Sequence, residues 1–214
     1  MLTNVLGFEE MLIWKKNVTI SMARIIIRQK TRILTPSEYY KLREQLDPNV
    51  GYQVISDVLI HTGLRIVEMW NLRDNPHWYH PSNRVIDLPA EGASKKPECK
   101  TSDRTIHLTE AGCKAMDTFF AVKPTFRDSD AMGRALKRAA VKAGLGKTGI
   151  TSKMFRKMLA SYLVAARKQL GIDTLEICAN LGHDEKTLRT HYYGVFTGEQ
   201  EQKEILEFLK GWVG

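Results

Sequence analysis

Lys153, Arg156, His183, Tyr192 and Tyr193 fall within one stretch, Thr148 to Tyr193, set among apolar residues at helical spacing. These residue types suit chemistry on a phosphate. A guanidinium donates two parallel hydrogen bonds to the non-bridging oxygens and keeps its charge near neutral pH. A histidine can move a proton in that range. A tyrosine hydroxyl, with a reference pKa of about 10, becomes a nucleophile when cations around the reacting phosphorus favour its phenolate. The chain has no G-x-x-x-x-G-K-S/T loop, so nucleotide hydrolysis is not indicated. It has no HExxH motif or paired Cys/His spacing that would argue for zinc, and its scattered acids do not force a two-metal site. The implied chemistry runs on side chains alone, with no cofactor.

The elements that must hold these groups can be read from periodicity and caps. Met154, Phe155, Met158, Leu159, Tyr162, Leu163 and Ala166 mark one buried helix face, and Arg156 leaves near its first turn. Asp173 reads as the N-cap of a second helix, with Glu176 at the capping-box position and Ile172 and Ile177 as a hydrophobic staple. That helix ends at Leu181-Gly182, and His183 follows at once. A third helix, capped by Asp184, sets Leu188 and Tyr192 one turn apart. Upstream, Thr35-Pro36-Ser37-Glu38 starts a helix placed at 36 to 46. Tyr52 to His61 reads as another, broken by Thr62-Gly63, with Arg65 just beyond and Glu68 one turn further on. From Asn75 to Thr109 the pattern shifts to short alternating runs at 84 to 88 and 104 to 108, a small antiparallel sheet. Lys95, Lys96 and Lys100 lie between or beside those strands. Two more helices span Thr109 to Phe120 and Asp130 to Ala143, and Arg134, Lys137, Arg138 and Lys142 give the latter a basic face that suits a DNA backbone or solvent equally. The expected fold class is mostly α with a small antiparallel β-sheet (α+β).

With these motifs in order, the chain resembles the catalytic domain of the tyrosine recombinases, the phage-integrase family. Its HTGLRIVEMWNL (61 to 72) is similar to the family's Thr-Gly-x-Arg-x-x-Glu box, and its KTSDRTIHL (100 to 108) to the Lys-Thr-x-x-x-Arg hairpin. Lys153-x-x-Arg156 matches the His-x-x-Arg pair, and Leu181-Gly182-His183 precedes Tyr192 at the family's spacing. The resemblance covers roughly Thr35 to Phe196. It implies that Arg65 and Arg156 bind the scissile phosphate, Glu68 holds Arg65, and Lys100 is the general acid for the 5′ oxygen. Lys95 and Lys96 become phosphate contacts or stand-ins for Lys100, and Tyr192 becomes the nucleophile with Tyr193 as the alternative. The implied activity is site-specific DNA cleavage and rejoining through a 3′-phosphotyrosine, without metal or ATP. Double-stranded DNA with paired half-sites and self-assembly on DNA are the implied partners. Lys153 departs from the commonest residue, His; a lysine stays charged and cannot be a neutral base near pH 7, so base work passes to His183 or water. Lysine there resembles integrases of archaeal viruses and plasmids. A type IB topoisomerase-like nickase and a non-catalytic DNA-binding module of the same fold are the alternatives.

Bulk properties agree with a nucleic-acid partner. Among 214 residues, 32 Lys and Arg against 24 Asp and Glu give a net charge of +8, a balance that favours a polyanion. Three cysteines without a C-x-x-C pair indicate neither a disulfide framework nor a zinc module, so a reduced intracellular setting is expected. No apolar run reaches a membrane-span length and no signal peptide is apparent. The expected organisation is an N-terminal arm or remnant of a core-binding region over 1–34, a catalytic domain over 35–198, and a C-terminal helix over 199–214. That helix is too apolar on one face to stand in water, and it docks on its own domain or in trans on a neighbour.

Overall fold

The computed structural model describes residues 25–93, 103–124, 129–196 and 198–212. The described chain opens with a hairpin, β1 (Ile26–Arg28) and β2 (Thr31–Ile33), in which Ile26 faces Ile33. Gln29 and Lys30 turn it at φ 48° and 60°, the left-handed values that both central residues of a two-residue I′ turn must adopt. This hairpin lies within the stretch expected as an N-terminal arm or remnant of a core-binding region, and it packs on the body. Arg32 donates its backbone N–H to Gly149 O at 2.9 Å and pairs with Glu38 at 2.8 Å, with both side chains buried. A Cβ at Gly149 would lie 2.7 Å from the Arg32 nitrogen, so the approach requires glycine.

Helix α1 (Pro36–Glu44) begins at the expected capping box, in which Thr35 and Glu38 each accept the other's backbone N–H. Helix α2 (Tyr52–Thr62) is the central one, packed between α5 (Glu110–Val122) and α7 (Met154–Leu170). Gly63 ends α2 in the left-handed region, and α3 (Ile66–Asp74) starts three residues later. The sheet has three antiparallel strands in the order β3 (Tyr79–His80), β4 (Val85–Leu88), β5 (Arg104–His107), with Ile86 and Ile106 paired and fully buried. A short helix, α4 (Ala90–Ala93), follows β4, and α6 (Ser129–Lys142) packs on α1.

Three helices then carry the C-terminal motifs. Helix α7 buries Met154, Phe155, Met158, Leu159, Tyr162, Leu163 and Ala166, the face its periodicity defines. Helix α8 (Thr174–Leu181) starts at the Asp173–Glu176 capping box and lies between α7 and β5. Helix α9 (Glu185–Tyr192), capped by Asp184, rests on α7 and α8 through Leu188 and Tyr192. The last helix, α10 (Glu199–Phe208), returns to α7 and α1 of its own chain and buries Ile205, Phe208, Leu209 and Trp212.

Candidate active site

The site is built around one carboxylate with no solvent exposure. Arg65 sits at the N-cap of α3, where its backbone N–H donates to Glu68 Oε2 at 2.8 Å and its Nη1 to Oε1 at 2.5 Å. From β5, Arg104 reaches the same carboxylate, Nη2 to Oε2 at 2.7 Å and Nη1 to Oε1 at 3.4 Å. Burial alone would raise the Glu68 carboxyl, but Arg104 and the Arg65 N–H outweigh it and hold it below its ordinary value. Glu68 is therefore ionised, and the two arginines differ in access: Arg104 is 7% exposed, Arg65 48%.

Arg156, one turn into α7, is buried against the two turns that follow α2 and α8. It donates Nη1 to Gly63 O at 2.8 Å, Nη2 to Leu181 O, and Nε to His183 Nε2 at 3.2 Å. Three of its five N–H donors are thereby used to fix the guanidinium. Burial, followed by repulsion from Arg65 and Arg104, pushes Arg156 down to about 9, which leaves it charged at neutral pH. His183 is fixed by Gly182, whose φ of 58° ends α8. Burial and then Arg156, Arg65 and Arg104 push its imidazole down to about 3, so the ring is neutral near pH 7. Its Nε2 lone pair faces Arg156, and the ring lies parallel to Tyr192 with centroids 5.7 Å apart and planes 5° apart. Tyr192 is 5% exposed; burial raises its hydroxyl pKa and the Arg156 charge opposes that.

Arg65, Glu68, Arg156, His183 and Tyr192 thus come together from α3, α7, the α8–α9 turn and the end of α9. Arg104 joins them through Glu68, a role that its place in the hairpin motif does not indicate. Three guanidiniums against one carboxylate leave the cluster with two uncompensated positive charges. Tyr193 faces elsewhere, its hydroxyl 3.0 Å from Thr174 Oγ1 and its ring under the Arg167 guanidinium at 4.7 Å. Lys153, at the start of α7, is exposed one turn before Arg156. Arg134, Lys137 and Arg138 are exposed on α6. Lys95, Lys96 and Lys100 lie outside the described residues. Among the described residues no three His, Cys, Asp or Glu side chains are grouped to hold a metal ion, and no helix is long and apolar enough to cross a membrane.

This architecture is the tyrosine recombinase catalytic-domain fold: mostly helical, with small antiparallel sheets. It superposes on the crystal structure of XerA recombinase with a TM-score of 0.59 at 19% identity, over 86% of this chain and 65% of that one. The Tn1549 transposon integrase in complex with circular intermediate DNA gives 0.59 at 17% identity, over 83% and 66%. The XerH site-specific recombinase bound to its difH substrate gives 0.55 at 17%, over 74% and 50%. The chain thus spans just under two thirds of the XerA and Tn1549 structures it matches. No protein-family model and no curated protein sequence matches the chain.

Proposed function

We propose that the chain is the catalytic part of a tyrosine-type site-specific DNA recombinase or integrase, and that Tyr192 is its nucleophile. One observation carries this reading: Arg65, Arg156 and His183 converge beside Tyr192 around the buried Glu68, with two net positive charges to meet a phosphate. In the proposed step, Tyr192 Oη attacks phosphorus, the P–O5′ bond breaks, and its electron pair leaves with the 5′ oxygen. Lys100 supplies the proton that this oxygen takes up, and the tyrosine proton passes to water or to His183. Arg65 and Arg156 stabilise the charge that grows on the non-bridging oxygens. The resulting 3′-phosphotyrosine keeps the phosphodiester energy, so another 5′-hydroxyl can reseal the strand without ATP. No metal or cofactor is required in this scheme. Arg134, Lys137 and Arg138 lie along the duplex backbone, with Lys95 and Lys96 as further phosphate contacts. Paired half-sites and assembly on DNA belong to the same proposal, and Lys153 in place of His suits a viral or plasmid origin.

A suicide duplex, selected from a random library by covalent capture, tests the reading. The wild-type chain should form a protease-sensitive adduct at the 3′ side of one phosphate, in EDTA, while Tyr192→Phe binds the duplex and forms none. An adduct that survives Tyr192→Phe and disappears with Tyr193→Phe would move the nucleophile by one residue. Lys100→Ala should be slow on ordinary DNA and recover when the 5′ leaving oxygen is replaced by sulfur, which departs without a proton. An adduct lost in EDTA would refute the metal-free scheme.

A further inference from the structure

Glu68 has no solvent exposure, and its two oxygens receive four N–H contacts, one from Arg65 and one from Arg104 on each oxygen. A carboxylate offers about four lone-pair sites, so this one is saturated. Arg104 holds half of them from the side of β5. Its own position is over-determined: it is the first residue of β5, opposite Leu88, and its guanidinium lies against the turn after α8. A Cβ at Gly182 would meet Arg104 Nη1 at 3.1 Å and Cδ at 3.3 Å. The same strand is tied to α8 by the His107 N–H, which donates to the buried Asn180 Oδ1 at 2.6 Å.

We infer that Arg104 is a positioning residue of this site: it occupies the half of Glu68 that would otherwise draw in the Arg65 fork, and it seats the Gly182 turn that presents His183. The inference rests on the recombinase reading for its activity arm. Without Arg104, the vacated lone pairs of Glu68 lie next to Arg65, whose remaining donors would turn inward to the carboxylate and away from a phosphate. The buried charge would also be left with one partner, and the Gly182 turn would lose the group packed against it. Arg104 makes no contact with the reacting atoms in this role; it acts through Glu68 and through the turn.

The charged groups that face His183 are Arg156, Arg65, Arg104 and Asp184, with the neutral Tyr192 ring stacked on it. Burial and then three cations keep the imidazole unprotonated, and removing Arg104 takes away one of those cations, so the ring reports on Arg104 even without DNA. Arg104→Met, Arg104→Lys and Lys41→Met, the last removing an exposed charge on α1, should be compared in two measurements. The first is NMR titration of the His183 imidazole in the free protein. The second is the rate of Tyr192 adduct formation at saturating suicide duplex, alongside its half-saturation concentration.

Arg104→Met should raise the His183 midpoint above that of the wild-type chain, where burial and the three cations hold it low. It should also slow the adduct by about 10²-fold, the effect of a misplacement near 1 Å, with half-saturation unchanged. Arg104→Lys should restore the midpoint but stay slow, because one ammonium cannot grip both Glu68 oxygens. Lys41→Met should move neither. If Arg104→Met does not fold, the lysine variant alone decides. A folded Arg104→Lys with the wild-type rate would show that charge suffices and overturn the positioning role, as would an unmoved midpoint in a folded Arg104→Met. If the wild-type chain forms no Tyr192 adduct, the recombinase reading fails, while the His183 titration still decides whether the Arg104 charge acts on that ring.

Discussion

Truncating Phe208 to alanine should cost this fold about 3–5 kcal/mol, the range for removing a fully packed aromatic ring. Its ring stacks on His61 at 4.6 Å with planes 4° apart, meets Tyr162 at 5.3 Å and Tyr39 at 6.4 Å edge-on, and approaches Tyr40 at 6.3 Å. These neighbours come from α1, α2 and α7, so no one of them can move in to fill the space without leaving its own helix. Domains of this class are stable by roughly 5–15 kcal/mol, so the loss takes a large share of the total. At ~2–4 °C per kcal/mol for a chain of this size, the thermal midpoint should fall by roughly 6–20 °C. Thermal melts followed by circular dichroism, repeated over a wide range of protein concentration, measure this directly. A cis-packed α10 gives the same depressed midpoint at every concentration. A variant that melts within about 2 °C of wild type would refute the packing argument. A wild-type midpoint that climbs with concentration would show that the ring is supplied by a second copy of the chain.

Arg65→Ala and Arg156→Ala should each slow adduct formation by at least about 10²-fold, the cost of losing one preorganised donor to a developing oxyanion, as read from single-turnover kinetics. Gly63→Ala should lower stability by ~1–3 kcal/mol in urea titration. Gly63 has φ 65°, and an added Cβ would sit 2.8 Å from Leu181 Cδ2 and 3.0 Å from Leu159 Cδ2. The same variant should slow the adduct, because Gly63 O anchors Arg156. Stability should also fall with acid. Burial lowers His61 from 6.5 to about 4, so its contribution is complete above pH 6.5 and is lost as pH falls toward 4. That loss amounts to about 3 kcal/mol, and His61→Phe should flatten this limb of the pH–stability curve.

What could be read from the sequence was local. The Thr35–Glu38 and Asp173–Glu176 boxes, the Asp184 cap and the glycines at 63 and 182 act within a few residues of chain, and each sits where its spacing puts it. The buried face of α7 follows from a 3.6-residue period. What could not be read depends on distant segments meeting. Arg104 joins Glu68 across 36 positions, and only the folding of β5 onto β4 and α8 brings them together. The β1–β2 hairpin was missed because its turn is Gln29-Lys30, without the Asn or Gly that usually marks a left-handed turn. Spacing favoured Tyr192 over Tyr193 but gave no physical reason. In the structure their surroundings differ: α9 ends at Tyr192, whose ring stacks on His183, and the extended backbone of Tyr193 turns its ring to Arg167.

The electrostatics of the resting site bear on when the tyrosine loses its proton. Burial raises the Tyr192 hydroxyl, and the Arg156 charge that opposes it does not win. The bound phosphodiester brings a negative charge of its own and draws on the same arginines, which makes a free phenolate less favourable still. On the proposed reading, substrate binding alone therefore does not favour an ionised Tyr192. In the proposed transition state the phosphoryl oxygens would gain charge, and Arg65 and Arg156 are already fixed, by Glu68 and by the Gly63 and Leu181 carbonyls, before that charge appears. Donors that do not reorganise stabilise that state more than the ground state. On that reading the proton leaves as the O–P bond forms. His183, kept neutral by burial and then by the three arginines, spends its single Nε2 lone pair on Arg156, so on the proposed reading it could take the tyrosine proton only by releasing that hydrogen bond, and water is the readier acceptor.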